Sequence, residues 1–364
     1  MGAKKAGKKK NIVLRVILGI LIALILIVGI YFLYVFRTYH RIEDKQDLEV
    51  TKGSTTEACA VGKEYNVISY NIGFGAYTPD FSFFMDGGKS SWAESKESVI
   101  ETVTGAAELV RSLDPEIVMF QEIDTDGTRS YHVDQKKLID GILPEYTNVF
   151  AVNYDSPFLM YPLTQPHGKN HAGIGTYTKF DITSALRRSL PISESLSKLV
   201  DLDRCYSKAR IPVENGKELV VYNMHLSAYT AKAETAEIQL GMVVQDMQAE
   251  YDKGNYCIAG GDFNRDLLGN SPAIFHTDRL DDNWAQPVNM SLFTDDITLV
   301  APYQERERAA SCRNPNKPFK KGDFVVTVDG FIVSANVEVT YSNVIETGFK
   351  YSDHNPVWMK FILK

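Results

Sequence analysis

Apolar positions in this chain gather into short runs, and six of these runs carry a carboxylate, carboxamide or imidazole at one end. They are NVISYN (66–71), IVMFQE (117–122), LVVYNMH (219–225), YCIAGGDFN (256–264), FVVTVDGF (324–331) and, with the polar group leading, YSDHNPVWMKFIL (351–363). Runs of this length, rich in β-branched and aromatic residues, predict buried strands. Their polar ends then fall at the rim of a sheet, where α/β enzymes place their chemistry. AGIGTYTKFDI (172–182) and ELVVYNMHL (218–226) predict strands too. Between strands the period changes. SKESVIETVTGAAELVRSLD (95–114) sets Val99, Val103, Ala106, Leu109 and Val110 on one side of a helix that the Asp114-Pro115 step ends. AKAETAEIQLGMVVQDMQAEYDKGN (231–255) repeats the scheme with Ile238, Met242, Val243 and Met247, and Gly254-Asn255 stops it. Helical crossovers mixed with hairpin-like connections favour a mixed-sheet sandwich with helices outside over a purely parallel sheet.

The N-terminus is a different material. Residues 16–36 are uncharged over a length that crosses a bilayer as one helix. Lys4, Lys5, Lys8, Lys9, Lys10 and Arg15 precede this stretch, whereas Glu43, Asp44 and Asp47 are mixed among the fewer cations that follow. The positive-inside rule then makes residues 1–15 a basic cytoplasmic tail and puts everything after about residue 40 outside, as in a single-pass protein of the cell membrane. Tyr31, Phe32, Tyr34 and Phe36 supply an aromatic belt at the exit. The alternative, a cleaved signal peptide, calls for a shorter apolar core and a small-x-small site close behind it. Here the stretch runs into Phe-Leu-Tyr-Val-Phe-Arg, the ACA at 58–60 is too distant, and Cys59 lacks the flanks of a lipid-attachment cysteine. An uncleaved anchor is favoured. Residues 37–63, polar and weakly periodic, predict a stalk, and 64–364 predict one large domain.

A hydrophobic fraction of 44% is ordinary for a globular protein. Net charge is −7 although the tail is basic, so the folded part is more acidic than the total. That argues against a protein living on non-specific nucleic-acid affinity, which needs a basic surface. Cys59, Cys205, Cys257 and Cys312 do not make a disulfide framework in so large a domain. Cys257 reads as a buried hydrophobe inside a strand, a Cys205–Cys312 bridge is left open, and no CxxC or Cys/His spacing suggests zinc.

Hard oxygen ligands and imidazoles at the strand ends form the kit for metal-assisted hydrolysis of a phosphate ester: Asn71, Glu122, His225, Asp262, Asn264, Asp329, Asp353 and His354. Asp262 and Asn264 are two apart, which in an extended chain puts both on one face, and Gly260-Gly261 permit a tight turn and close approach of a ligand. An Asx turn without chemistry is the alternative; the buried strand and glycine pair before it favour function. Asp353 and His354 are adjacent, so both reach one pocket only from a bent entry, which Pro356 promotes. Asp329 is placed to orient an imidazole. His225 gains weight only in this company, since lone histidines at strand ends are more often structural.

In their order and approximate spacing, NVISYNI, FQEID, NMHLSAY, GGDFN, VDGF and YSDHNP resemble the endonuclease/exonuclease/phosphatase superfamily from about residue 64 to the end. That superfamily includes pancreatic-type deoxyribonucleases, abasic-site endonucleases, neutral sphingomyelinases and inositol polyphosphate 5-phosphatases. GDFN and SDHNP together carry the specificity of the match. The resemblance implies an α/β fold of the α+β type, a four-layer sandwich of two packed mixed β-sheets flanked by helices, here preceded by one transmembrane helix. It implies a divalent metal, Mg²⁺ first with Mn²⁺ or Ca²⁺ as alternatives, held by Glu122 with help from Asn71 and Asp353. Asp262 would activate or orient the attacking water beside Asn264, while His354, paired with Asp329, and His225 would hold phosphate oxygens. Two loops are particular to this chain: Arg129, Tyr131 and His132 follow Glu122, and His167, Lys169 and His171 precede a strand. Arg129, Tyr131 and His171 are the candidate substrate contacts.

The resulting expectation is a membrane-anchored, metal-dependent phosphoesterase, either phosphodiesterase or phosphatase, acting outside the cytoplasmic membrane without an obligate protein partner. Its phosphate-ester substrate is a lipid head group, a nucleotide or a nucleic acid. An extracellular nuclease predicts basic clusters beside the pocket, which the acidic balance does not supply. A sphingomyelinase-like reading calls for an exposed apolar hairpin, for which FSFFMDGGKSSW (81–92) is the candidate. A catalytically silent anchored binding module is the alternative of another class, disfavoured because every motif residue that carries chemistry is intact.

Overall fold

The computed structural model describes residues 2–54, 56–193, 195–199, 201–228, 233–277 and 284–364. The chain divides into two units, Met1–Arg41 and Ile42–Lys364. The first is helix α1 (Gly2–Thr38). Its stretch Ile12–Thr38 is long and apolar enough to cross a membrane.

Two seven-stranded sheets make up the second unit. In chain order the strands are β1 (Gln46–Asp47), β2 (Val50–Thr51), β3 (Glu64–Asn71), β4 (Ile117–Gly127), β5 (Thr147–Asp155), β6 (Asn170–Thr178), β7 (Ser184–Ser189), β8 (Cys205–Pro212), β9 (Glu218–His225), β10 (Tyr256–Asp262), β11 (Ile297–Val300), β12 (Cys312–Arg313), β13 (Val325–Val326), β14 (Asp329–Ser334), β15 (Val337–Val344) and β16 (Val357–Leu363). One sheet has the order β1-β7-β8-β9-β10-β14-β11, the other β15-β16-β3-β4-β6-β5-β2, and β12 pairs with β13 alone. Each large sheet contains one parallel pair, β3–β4 and β9–β10. The sequence explains why, because a helical segment joins the members of each pair: α2 (Lys96–Leu113) and α4 (Ala233–Tyr251). The remaining strand pairs are antiparallel.

Strand alternation separates the layers. Tyr65 and Val67 of β3 meet Val221, Ile258, Phe331, Met359 and Phe361 in a core between the sheets. Their neighbours Ile68 and Tyr70 pack on Val99, Val103 and Val110 of α2. On the other sheet Val220 and Tyr222 face Leu240, Val243 and Met247 of α4. Both faces of these strands are buried, which is why they read as apolar runs without alternation. Helix, sheet, sheet, helix is the four-layer sandwich that the resemblance implies. The Ser95 hydroxyl caps α2 by accepting from the Ser98 N–H at 3.0 Å, and Asp114 ends it in a left-handed conformation at φ 51° before Pro115.

Several sequence expectations change. The polar segment expected as a stalk is drawn into the fold from Ile42 on: β1 pairs with β7, β2 pairs with β5, and Cys59 is buried. Two-residue edge strands carry too little apolar signal to be seen in sequence. In α4, Ile238 is exposed, and Ala236, Gln239, Leu240, Val243, Val244 and Met247 form the buried face; residues 231 and 232 of that expected helix lie outside the described residues. Gly260 and Gly261 lie inside β10 and make no turn. A Cβ on Gly260 would meet Met119 Sδ of the facing sheet at 2.7 Å, and one on Gly261 (φ 145°) the Met224 carbonyl oxygen at 1.9 Å. Gly260 thus makes room for the Met119 and Phe331 side chains, and Gly261 for the backbone of β9. No disulfide links the four cysteines, each of which is buried as a free thiol.

Candidate active site

Three strands deliver polar groups at their C-terminal ends, Asn71 from β3, His225 from β9 and Asp262 from β10, and a fourth delivers Glu122 from the middle of β4. Asp329 opens β14 rather than ending a run, directly opposite Asp262 in the antiparallel register. Asp353 and His354 arrive in the bend before β16.

Glu122 owes its place to a β-bulge. Phe120 pairs with Gly175 and Ile123 with Gly173, so Gln121 and Glu122 together face one residue of β6. Glu122 takes φ 57°, a left-handed conformation uncommon outside glycine. The bulge splits the two side chains. Gln121 turns inward, where its Nε2 donates to Asn223 Oδ1 at 2.8 Å, forming a polar tie between the sheets below the site. Glu122 turns to the rim. Strain of this kind persists where the surroundings fix it and clusters at functional positions.

Asn71 binds the acids together. Its Nδ2 donates to Glu122 Oε1 at 3.0 Å and to Asp262 Oδ2 at 3.1 Å, while its Oδ1 accepts the Gly73 N–H at 3.0 Å. Because a backbone N–H can only donate, the amide orientation is fixed. Asn71 therefore presents its nitrogen to Glu122 and Asp262 and holds the two carboxylates in place. Ser352 extends the chain of contacts: its hydroxyl donates to the Asn71 carbonyl at 2.8 Å and lies 3.2 Å from Asp353 Oδ1.

Asn264 differs from expectation. It stands at φ 51°, outside the extended conformation that would put it on the face of Asp262. Its N–H donates to Asp262 Oδ1 at 2.8 Å and its Nδ2 to the Leu226 carbonyl at 2.9 Å. It clamps the loop after β10 to the end of β9 and orients Asp262.

The two imidazoles are in opposite electrostatic situations. His354 Nδ1 lies 2.7 Å from Asp329 Oδ2, and its Nε2 is 3.8 Å from Asp262 Oδ2. Burial disfavours the charged ring, but Asp329, Cys312 and Asp353 outweigh it and hold the pKa well above the usual histidine range. His354 is an imidazolium at neutral pH. His225 Nε2 lies 3.6 Å from Asp262 Oδ2 and 4.0 Å from Glu122 Oε1. Burial, reinforced by the positive Arg204, His354 and Arg129, pushes its pKa well below the ordinary value, so it is neutral.

Burial also pushes the Asp262 carboxyl up to about 7; Asp329 and Glu122 add to this against the pull of His354. Burial and the nearby Glu122 push Asp353 up to about 6 against His354 and Arg313. Buried carboxylates with surplus negative charge are hard oxygen donors that fit a divalent cation, and Glu122 and Asp353 are the candidate ligands. Raised carboxyl pKa values mean that the metal-free fold binds these protons more tightly than the unfolded chain. This contribution to stability is present at low pH and is lost as pH rises through about 6 and about 7. A cation replaces the protons, so Mg²⁺ should raise the thermal midpoint over an EDTA control more at pH 8 than at pH 5.5. Equal shifts at both pH values would contradict the assignment.

The loop residues do not join the cluster. Arg129 is buried, its Nε and Nη2 donating to Asp124 at 3.1 and 2.8 Å and its guanidinium 3.8 Å from the Phe74 ring centroid. A cation so engaged holds its own loop, and its charge still reaches Glu122 and His225. Tyr131 donates its hydroxyl to the Glu94 carbonyl at 3.2 Å and stacks edge-on with Trp92. His132 pairs with Asp126 at the surface at 2.6 Å. Burial pushes His167 down to about 3, so it carries no charge for a phosphate. His171 Nδ1 lies 2.6 Å from Thr125 Oγ1 near the bulged end of β4, apart from the acidic cluster. Lys169 is exposed.

Sequence reasoning missed Cys312 and Arg313. Arg313 is fully buried, its N–H donates to the Asp353 carbonyl at 2.9 Å, and its charge pulls against the raised Asp353 pKa. The available signal was an arginine inside the small-residue segment AASCRN (309–314).

A rim of buried acids, carboxamides and imidazoles between two helix-backed sheets belongs to a phosphoester-hydrolase class of fold. The chain is a member of the endonuclease/exonuclease/phosphatase family, which it matches over residues 68–354. Among solved structures it is similar to an endonuclease/exonuclease/phosphatase from Beutenbergia cavernae DSM 12333, at 16% identity and TM-score 0.57 over 83% of this chain and 72% of that one. It is also similar to ANGEL2, a 2',3'-cyclic phosphatase, in complex with adenosine-2',3'-vanadate, at 13% identity and TM-score 0.53 over 87% and 98% of the two chains. Truncated Caenorhabditis elegans TDP2 is similar at 16% identity and TM-score 0.50 over 83% and 98%. At such identities the likeness concerns the fold. Comparison with curated protein sequences gave no match.

Proposed function

We propose that this protein is a membrane-anchored, divalent-metal-dependent phosphoesterase that hydrolyses a phosphate ester borne on a lipid surface outside the cytoplasmic membrane. The observation that carries the chemistry is the placement of Asp262 within 3.8 Å of the charged His354, within 3.6 Å of the neutral His225 and within 3.1 Å of Asn71. A carboxylate with a pKa of about 7 is matched to taking a proton from the attacking water near neutral pH. His354, held by Asp329, directs a positively charged Nε2–H at the site where phosphate charge develops. His225 supplies a second ring nitrogen to a phosphate oxygen. When bound at Glu122 and Asp353, Mg²⁺ supplies Lewis acidity to a phosphoryl oxygen.

The substrate class rests on the chain's connectivity. Residues 39–41 alone separate the end of α1 from the second unit, a tether that spans about 10 Å. The Ile42 N–H donates to the Asp203 carboxylate, and the Asp203 N–H donates to the Asn153 carbonyl at 2.8 Å. Asn153 is near the end of β5, and the loop that follows carries Tyr161 and Leu163, 71% and 79% exposed. Phe84 of the 81–92 segment packs on Tyr161 with ring centroids 5.8 Å apart, and its neighbour Met85 is 64% exposed. Exposed apolar side chains of this kind suit the interfacial region of a bilayer.

The test uses full-length protein with Mg²⁺ or EDTA, on soluble bis-p-nitrophenyl phosphate and on vesicles containing a phosphodiester lipid. Hydrolysis of both substrates with Mg²⁺ is expected. Tyr161→Ser with Leu163→Ser should lower the vesicle rate about tenfold and leave the soluble rate unchanged. Equal loss on both substrates, or a preference for supercoiled DNA over vesicles, would overturn the lipid assignment.

A further inference from the structure

We infer that Cys312, His354 and Asp353 form an inhibitory site for Zn²⁺. The backbone brings the three together, because Cys312 makes an antiparallel bridge with His354 and the Arg313 N–H donates to the Asp353 carbonyl at 2.9 Å. Cys312 Sγ thereby stands 3.6 Å from His354 Nε2. Zinc–sulfur and zinc–nitrogen bonds of about 2.3 and about 2.0 Å, meeting at a tetrahedral angle, span about 3.6 Å between sulfur and nitrogen. The pair is already at the separation a shared zinc requires.

The rest of the ligand set agrees. Asp353 offers an oxygen, and the ligand atoms of all three residues lie within 4.8 Å of one another. His354 Nδ1 is occupied by Asp329 at 2.7 Å, leaving Nε2 as the outward nitrogen. A carboxylate behind a histidine in this way is the usual support of a zinc-binding imidazole. Asp262 Oδ2, 3.8 Å from the same Nε2, stands beside a fourth position that water or phosphate could also take. His354 and Asp353 retain a sliver of exposed surface, which gives a route in.

Softness separates this set from the magnesium ligands. A thiolate and an imidazole select zinc, whereas Mg²⁺ prefers the oxygens of Glu122 and Asp353. Zinc binding forms a Zn–S and a Zn–N bond and releases two protons to solvent, that of the Cys312 thiol and that on Nε2 of the His354 imidazolium. It also occupies His354 Nε2 and Asp353, two groups on which phosphate-ester hydrolysis relies, so the zinc-bound form is an off state. Cys312 touches the hydrolytic site only through His354 Nε2, 3.6 Å from its sulfur. The other cysteines are buried elsewhere: Cys59 between the sheets, Cys205 against Ala151 and Ile174, and Cys257 under α4. Cys312 and His354 are far apart in sequence, which is why no zinc spacing is visible there.

Co²⁺ replaces zinc as the probe in full-length protein in detergent micelles, read by the near-ultraviolet thiolate-to-cobalt absorption. The band is expected in the wild type and in Cys257→Ser, and is expected to vanish in Cys312→Ser and Cys312→Ala. In saturating Mg²⁺, Zn²⁺ should inhibit the wild type at a concentration at least about tenfold lower than it does Cys312→Ser. A wild type without the band, a band unchanged in both Cys312 variants, or equal zinc inhibition of wild type and variant would overturn the site. The absorption reads metal on sulfur with no substrate present, so it is independent of whether the phosphoesterase assignment holds.

Discussion

Asp262→Asn should lower kcat for a soluble aryl phosphodiester by about 10³, within the range by which positioned acid–base groups accelerate reactions. The substitution keeps the shape of the side chain and the oxygen that accepts the Asn264 N–H at 2.8 Å, so the loop after β10 retains its clamp. What it removes is the proton acceptor poised at a pKa of about 7 and the negative charge facing His354 and His225. KM should change little, because the effect falls on the chemical step. Steady-state kinetics alongside near-ultraviolet circular dichroism test this; a correctly folded variant within tenfold of wild type would remove Asp262 from the chemistry.

Asp329→Asn should cost about 10² at pH 8 and recover part of that loss in acid. The charge of Asp329 leads the forces holding His354 protonated against its burial. Without it burial prevails, the ring titrates at lower pH, and the basic limb of the kcat profile moves toward acid. The sign follows from the role: the imidazolium is the active form, so lowering its pKa shrinks the active fraction at high pH first. Asp329→Glu, which keeps the charge, should restore the position of that limb. A loss equal at all pH values, with the limb unmoved, would make Asp329 a packing residue only.

Much of the layered fold was legible because buried strands and amphipathic helices write different periods. Tyr65 and Val67 against Ile68 and Tyr70, backed by Val99 and Val103, place a strand between two cores with no further information. The edges were not legible. Strands of two residues such as Gln46–Asp47 owe their place to pairing with Arg187 and Leu186, which leaves no apolar trace. At the site, identity was easier to read than orientation. Glu122 was recognisable as an acid after an apolar run, but the bulge that sends Gln121 inward and Glu122 to the rim is a property of the pairing with β6. That Asn71 turns its nitrogen to two carboxylates and its oxygen to the Gly73 N–H is a matter of orientation that no sequence pattern carries. Arg129 looked like a loop cation until Asp124 and Phe74 enclosed it. Cys312 became visible only when a backbone bridge placed its sulfur on His354.

In the proposed mechanism a metal held at Glu122 and Asp353 acts together with Asp262 and His354 on a phosphate ester. The most direct test is the rate of bis-p-nitrophenyl phosphate hydrolysis by the full-length protein, with Mg²⁺ and with EDTA, in the wild type and in Glu122→Gln. EDTA should abolish the wild-type rate and added Mg²⁺ restore it, and the Glu122→Gln rate should be lower by about 10² and partly recovered at higher Mg²⁺. A wild-type rate indifferent to EDTA, or a Glu122→Gln protein as active as the wild type at low Mg²⁺, would contradict it.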